Sequence, residues 1–165
     1  MENRIETLEP TLICGKSLKM SFQNDRTFEL WQSFMPLLKG VSDRKGTHLI
    51  SLQVFENPID PKQFDPNAEF TKWAAVPVET DHSDAGEKLD LYRISGGLYA
   101  VFKHHGPASE FGRSLQYIYG EWFPGSDYEL DEREHFEKLP QGYRPDDPNA
   151  EEEIWIPIRK KSLRV

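Results

Sequence analysis

The chain has 165 residues and a formal net charge of -8, with 20 Lys and Arg against 28 Asp and Glu. This length indicates one domain, or two tightly fused halves, and is enough to bury a proper core. The chain is acidic and has no stripe of basic residues that could neutralise nucleic-acid phosphates, so we expect no direct binding to nucleic acid. No apolar run approaches the ~18 residues of a membrane span and no signal peptide is recognisable, so no membrane partner is expected.

The first half of the chain predicts the order strand, helix, strand, strand. Residues 10–22 are rich in β-prone side chains and predict a long strand. Residues 27–38 repeat apolar side chains at steps of three and four, which is typical of one helix face. Pro36 should end or kink this helix near the preceding residue. Two closing strands are predicted at 47–56 and 70–79, joined by a loop rich in Pro, Asp and Asn.

The second half predicts the same order of elements. An opening strand at 98–104 is followed by Gly106-Pro107, where proline suits the beginning of a helix. The apolar face of this helix consists of Phe111, Leu115, Ile118 and Trp122. Closing strands are predicted within 127–139 and 151–160.

Short landmarks recur in the same order in both halves and indicate an internal repeat. Phe-Glu occurs at 55–56 and 136–137, Asp-Pro-Asn-Ala-Glu at 65–69 and 147–151, and Trp at 73 and 155. We therefore predict an α+β fold of duplicated βαββ units, about 8–80 and 90–161, within a single domain 1–165. Each unit should supply one antiparallel sheet and one helix, and a pseudo-two-fold axis should relate the units. Their interface is the expected place for a ligand cleft.

Familiar metal, cofactor and nucleophile motifs are missing from the sequence. Gly15-Lys16-Ser17 lacks the glycine that a phosphate-binding loop requires five residues earlier. His104 and His105 are adjacent on a predicted strand and point to opposite faces, so we expect no shared metal. We expect no cofactor either. Cys14 is the one cysteine, which excludes an intrachain disulfide and fits a cytoplasmic location.

The remaining chemical feature is a carboxylate among aromatic residues. Glu137 and Trp155 lie in neighbouring predicted strands, and Glu56 and Trp73 are the corresponding landmarks of the first repeat. The sheet faces away from the helices would then meet and form a shared cleft around these four side chains. Such a cleft suits a flat, lipophilic or cationic ligand. The alternative is that the tryptophans are core residues and that Glu137 is an exposed strand residue.

Four segments carry a family resemblance: residues 94–107, 122–129 (Trp-Phe-Pro-Gly-Ser-Asp-Tyr-Glu), 136–137 and 156–158. With them the chain resembles the gyrase-inhibitor-like (GyrI-like) small-molecule-binding family, which includes effector-binding domains of AraC- and MerR-type bacterial transcription regulators. The resemblance implies the duplicated fold with a cleft between its halves. It also implies that Glu137 is the pocket glutamate that meets cationic or polar ligand groups. The family often has tyrosine where this chain has Leu139, so no role for that hydroxyl is expected.

Three functions from different classes follow, in this order of preference. The first is a stand-alone small-molecule-binding protein without a DNA-binding domain, because no helix-turn-helix segment is recognisable. The second is a hydrolase that opens strained cyclopropane rings of genotoxic natural products, as the resemblance implies for some members, with Glu137 as general base. The third is an inhibitor of gyrase type that contacts a regulatory protein partner through its acidic surface. The candidate ligand-contacting residues are Glu137, Trp155, Trp73, Trp122, Tyr99 and Phe102.

Overall fold

A computed structural model describes residues 1–80 and 88–162 and shows a mixed α/β fold with one large antiparallel sheet. In chain order the elements are β1 (Asn3–Leu8), β2 (Thr11–Met20), α1 (Thr27–Phe34), β3 (Leu49–Phe55), β4 (Phe70–Pro77), β5 (Asp90–Ile94), β6 (Gly97–His105), α2 (Phe111–Tyr117), β7 (Tyr128–Leu130), β8 (His135–Leu139) and β9 (Glu151–Lys160). None of the helices in this described part is long and apolar enough to cross a membrane.

Both α-helices are short, and each is followed directly by a helical segment of another type, 3-10 or π. Helix α1 ends at Phe34, and Pro36 lies in the first turn of the 3-10 helix Met35–Gly40 that follows. The predicted stop at this proline is confirmed, because proline lacks the amide hydrogen that an α-helix needs there. A 3-10 turn at 108–110 precedes α2, and a π-helical segment at 118–122 follows it.

The strands form one continuous sheet in the order β1-β6-β9-β8-β3-β4-β2-β5, and β7 pairs with the end of β9. The prediction of two separate sheets is therefore wrong. Strands β3 and β8 pair with each other, with Leu52 opposite Phe136, and so join the halves. Without this pairing each of these strands would be an edge strand with unpaired backbone groups.

The pairing registers show which residue lies opposite the tryptophan of each landmark. Trp73 lies opposite Leu52, and Trp155 lies opposite Phe136. Trp73 is thus paired with Leu52 and not with Phe55, whereas Trp155 is paired with the phenylalanine of the second Phe-Glu landmark. The predicted correspondence of Phe55-Glu56 with Phe136-Glu137 is wrong, because a recurring dipeptide does not fix the register of a strand pair.

Strands β1 and β5, which the sequence did not predict, lie at the two edges of the sheet. Strand β1 pairs with β6, so that Leu8 lies opposite Gly97. Strand β5 pairs with β2, so that Tyr92 lies opposite Ile13. Each of these strands pairs with the opening strand of the other half, and the exchange ties the halves together at both edges of the sheet.

The two faces of the sheet carry different chemistry. One face bears both helices: Leu30 and Phe34 of α1 pack over β2 and β4, and Ile118 packs over β6 and β9. Strands β3 and β8 lie between these two clusters in the strand order. The other face carries a buried core cluster that includes Trp73, Tyr99, Phe136 and Trp155.

Candidate functional site

Glu137 lies in the middle of the sheet, on the face that bears the helices. It stands opposite Ser51 in the pairing of β8 with β3. The side-chain amide of Gln53 donates a hydrogen bond to Oε1 of Glu137 over 3.2 Å. The same amide nitrogen lies 3.4 Å from the hydroxyl oxygen of Ser51. These three residues form a polar strip between the two helix-covered clusters.

The environment of Glu137 favours its neutral form. Burial raises the pKa of this carboxyl from 4.5 to about 7, because removal of water penalises the ionised state. The nearby carboxylate of Glu152 acts in the same direction, while Lys72 and the hydrogen bond from Gln53 oppose the rise. Near neutral pH the group is therefore about half protonated, which is unusual for a glutamate.

Other ionisable groups surround the polar strip. Glu152 of β9 is buried, and burial raises its pKa, opposed by Tyr143 and His104. The ammonium of Lys72 donates to the hydroxyl of Thr27 at the start of α1 over 3.2 Å. The pKa of Tyr119 is raised by burial and by Glu137, so its phenol stays a neutral hydrogen-bonding group.

His104 ties strand β6 to helix α2. Its ring is buried, with Nδ1 at 2.7 Å from the hydroxyl of Ser114 and Nε2 at 3.2 Å from the carbonyl oxygen of Pro107. Both nitrogens are thus engaged within the protein. Across residues 1–80 and 88–162, no group of three or more His, Cys, Asp and Glu side chains is placed to hold a metal ion.

The structure divides the sequence-predicted site residues between the two faces. Phe102 and Trp122 lie on the same face as Glu137 and meet edge to face with ring centroids 5.1 Å apart. Trp73, Tyr99 and Trp155 lie in the core cluster of the opposite face. The expected cleft shared by all six is therefore not formed.

Side-chain alternation is the reason for this division. Phe136 and Trp155 are paired and stacked, with centroids 5.1 Å apart, so they share the core face. Glu137 follows Phe136 in the strand and must point the other way. The expectation that the cleft lies on the helix-free face is wrong for the same reason. Glu56 is also remote from the strip and instead forms an exposed ion pair with Lys19 at 2.9 Å.

Sequence reasoning missed most neighbours of Glu137. Gln53 interrupts an otherwise largely apolar strand, Leu-Ile-Ser-Leu-Gln-Val-Phe, and that was a usable signal. Glu152 belongs to a run of three glutamates that resembles a solvated loop end in the sequence. In the structure it lies within strand β9, on the same face as the buried Ile154 two residues later, and is itself buried. Tyr119 gave no signal that distinguishes a site residue from helix packing.

Comparisons with known proteins agree with this architecture. The family model of the GyrI-like small molecule binding domain matches residues 1–159. The transcriptional regulator BrlR of Pseudomonas aeruginosa is 27% identical over 162 residues, which cover 96% of this chain and 56% of BrlR. The chain thus spans little more than half the length of that regulator.

Two solved structures share the fold at low sequence identity. The structure of SAV2435 bound to tetraphenylphosphonium superposes with a TM-score of 0.71 at 14% identity, covering 96% of this chain and 94% of that one. A hydrolase encoded by lin2189 from Listeria innocua gives a TM-score of 0.61 at 15% identity, covering 96% of this chain and 92% of that one. At such identities the likeness is one of fold.

Proposed function

The chain belongs to the GyrI-like small-molecule-binding domain family, and from this premise we propose that it binds a lipophilic aromatic cation at Glu137. The observation that carries the proposal is a carboxyl group with a pKa of about 7, placed between two helix-covered clusters of apolar and aromatic side chains. A bound cation would place a positive charge beside the Glu137 carboxylate, which the protein itself provides only weakly.

The charge balance around the polar strip supports a cation as ligand. Glu137 and Glu152 are two carboxyls whose pKa values burial raises, and Lys72 is the basic group that acts on both. Because Gln53 engages only Oε1 of Glu137, the other carboxylate oxygen stays available. Trp122 is partly exposed and packs edge to face on the buried ring of Phe102, so it supplies aromatic surface on this face, which attracts cations through the ring quadrupole. SAV2435, of the same fold, was solved with a lipophilic cation.

We propose further that 1–165 is one domain whose halves are related by a pseudo-two-fold axis between Leu52 and Phe136. The correspondence of pairing registers on both sides of that point supports it. Under this axis Gln53 and Glu137 are symmetry mates, and they meet and hydrogen bond. One mate carries a charge and the other is an amide, so the site suits a ligand with one positive charge.

The test is a calorimetric titration with tetraphenylphosphonium at about pH 8, where Glu137 is ionised. Glu137→Gln should weaken binding about ten- to a hundred-fold, since a charge-assisted contact contributes roughly 1.5–3 kcal/mol. The matched control is Glu56→Gln, which removes an exposed carboxylate of the landmark dipeptide and should leave affinity unchanged. An uncharged analogue, triphenylphosphine oxide, should bind both proteins equally. Equal affinity of wild type and Glu137→Gln for the cation would refute the proposal.

A hydrolase is the second candidate function, favoured by the same pKa. A carboxyl that titrates near pH 7 is well matched to general acid–base catalysis, and the phenol of Tyr119 lies close enough for Glu137 to perturb its pKa. A cyclopropane-bearing alkylating compound incubated with the protein should then gain the mass of one water. Glu137→Gln should abolish that product and spare binding, whereas recovery of unchanged compound from wild type favours the binding function.

The remaining sequence-based expectations stay predictions. These are that the chain acts alone and has no DNA-binding domain, that it is cytoplasmic, that it has a regulatory protein partner, and that it is an inhibitor of gyrase type. BrlR is a transcriptional regulator nearly twice the length of the matched region. We therefore place this chain with the effector-binding parts of such regulators.

A further inference from the structure

A cavity opens at the end of the sheet, and Glu137 is not part of its lining. Its volume is about 480 Å³, within the roughly 300–1,000 Å³ that small-molecule sites occupy. The walls come from the loop after β3, from Tyr92 and Ser95 at β5, and from residues 130–135 before and at the start of β8. Together with Arg159 of β9, four separate parts of the chain thus converge on one space.

The floor of this cavity is held by a buried carboxylate. Glu134 accepts hydrogen bonds from the hydroxyl of Tyr92 at 2.8 Å and from the amide and hydroxyl of Ser95 at 3.2 and 3.3 Å. Its backbone carbonyl accepts a further bond from the hydroxyl of Tyr99 at 2.9 Å. These contacts tie β5 and β6 to the start of β8 and satisfy Glu134 internally, so this group is not open to a ligand.

Most charged side chains of the lining are paired in the same way, but Glu132 is exposed outside these pairs and Nη1 of Arg133 is buried without a hydrogen-bond partner among the described residues. Arg133 bonds to Asp131 at 2.7 Å and places its guanidinium over the ring of Tyr99 at 4.7 Å. Arg159 bonds to Glu129 at 3.0 Å and reaches Asp131 at 3.6 Å. Glu56 pairs with Lys19 at the rim. A charged ligand would have to compete with these ion pairs for its partners.

His135 is a buried polar side chain of the lining that these ion pairs do not involve. Its side chain is only 7% exposed, it lines the cavity, and its ring packs edge-on against Phe55 at 5.1 Å. Its ring nitrogens make no hydrogen bond within residues 1–80 and 88–162. Burial, with Arg133 as the second cause, lowers the pKa of His135 to about 4. The ring is therefore neutral at pH 7 and offers one donor and one acceptor.

We propose that this cavity is a second ligand site, which takes an uncharged, flat molecule with an amide-like donor and acceptor directed at His135. The apolar side chains of Val54, Phe55 and Ile59 supply the walls for the ring system. A lactam can form one hydrogen bond with one nitrogen of the neutral imidazole, through either its N–H or its carbonyl oxygen, without disturbing the ion pairs. The inference is independent of the cation site, because the two linings share neither residues nor charge preference.

The experiment titrates quinolin-2(1H)-one, a neutral bicyclic lactam, into the full-length protein and follows backbone amide shifts by NMR. Saturable shifts are expected at Ser95 and His135. His135→Phe keeps an aromatic ring without nitrogens and should weaken binding about tenfold, the worth of one lost hydrogen bond. Ile59→Trp fills the cavity from a half-buried position and should abolish binding, which keeps the test decisive if the first variant folds poorly.

The control variant and the control probe separate the two sites. Glu137→Gln should bind quinolin-2(1H)-one with unchanged affinity, and N-methylquinolinium should not shift the amide of Ser95. The proposal is overturned by absence of saturable binding to wild type, or by unchanged affinity in Ile59→Trp. A loss in Glu137→Gln equal to that in His135→Phe would also overturn it, because it would assign the lactam to the cation site.

Discussion

The affinity for a lipophilic cation should depend on pH with a midpoint set by Glu137. The pKa of this carboxyl is raised from 4.5 to about 7, with burial as the main cause. A cation requires the ionised form, so its binding must expel the proton from the neutral form. Each pH unit below 7 lowers the ionised fraction about tenfold and should weaken binding about tenfold, while affinity should level off above pH 7.

The assay is a series of tetraphenylphosphonium titrations between about pH 5 and pH 8 at constant ionic strength. Between pH 7, where half of the carboxyl is ionised, and pH 5, the expected loss in wild type is at most roughly fiftyfold, about 2.3 kcal/mol, and it cannot exceed the ten- to hundred-fold difference expected between wild type and Glu137→Gln. Calorimetry in buffers of different ionisation enthalpy should show close to one proton released per cation bound at the acid end. Glu137→Gln carries no titrating group and should give a flat profile at the weaker affinity.

Glu152→Gln is the matched control for this pH profile. The carboxylate of Glu152 raises the pKa of Glu137, so its removal should move the midpoint to lower pH and preserve the slope. A wild-type profile as flat as that of Glu137→Gln would refute the reasoning, because it would show that no neutral carboxyl has to ionise on binding. A slope that survives in Glu137→Gln would assign the titration to another group.

Three further predictions follow from the same structure. The folded pKa of Glu137 lies above its unfolded value, so its contribution to stability is present below pH 4.5 and is lost as pH rises to 7. In urea unfolding, the free-energy advantage of Glu137→Gln over wild type should therefore grow by up to about 3 kcal/mol between pH 4.5 and pH 7. An unchanged difference would contradict the burial of the charge. His135 has the opposite sign, since its folded pKa of about 4 lies below 6.5: stability should be lost as pH falls from 6.5 to 4, and this loss should be absent in His135→Phe. Trp155→Ala should cost about 3–5 kcal/mol of unfolding free energy, because its ring is buried against Phe136, and a specific loss of cation binding at full stability would instead place Trp155 in the site.

The sequence predicted the elements well where the pattern is local. The two helices, the end of α1 before Pro36 and the strands predicted at 10–22, 47–56, 70–79, 98–104 and 151–160 are present, whereas the single strand predicted at 127–139 is two strands, β7 and β8. Strands β1 and β5 were missed because each is stabilised by pairing with the opening strand of the other half. The six residues of β1 and the five residues of β5 contain no local pattern that identifies a pairing partner so far along the chain.

The site was predicted in its central residue and not in its surroundings. Glu137 stood out as a carboxylate in an apolar, aromatic strand, and the structure surrounds it with Gln53 and Glu152 rather than with Trp73 and Trp155. Which face a residue shares with its neighbour depends on the pairing register, and a shift by one residue reverses every assignment. Hydrophobic pattern alone left that register open between β8 and β9.

The asymmetry of the central strand pair links the fold to the proposed ligand. The pairing of β3 with β8 brings Gln53 and Glu137 within hydrogen-bonding distance at 3.2 Å. Two glutamates so placed would repel, and one would remain protonated. Two glutamines would satisfy each other and offer no charge. The mixed pair keeps one carboxylate oriented by an amide and poised near neutral pH, so the central strand pair supplies the geometry and one of its two polar side chains supplies the charge.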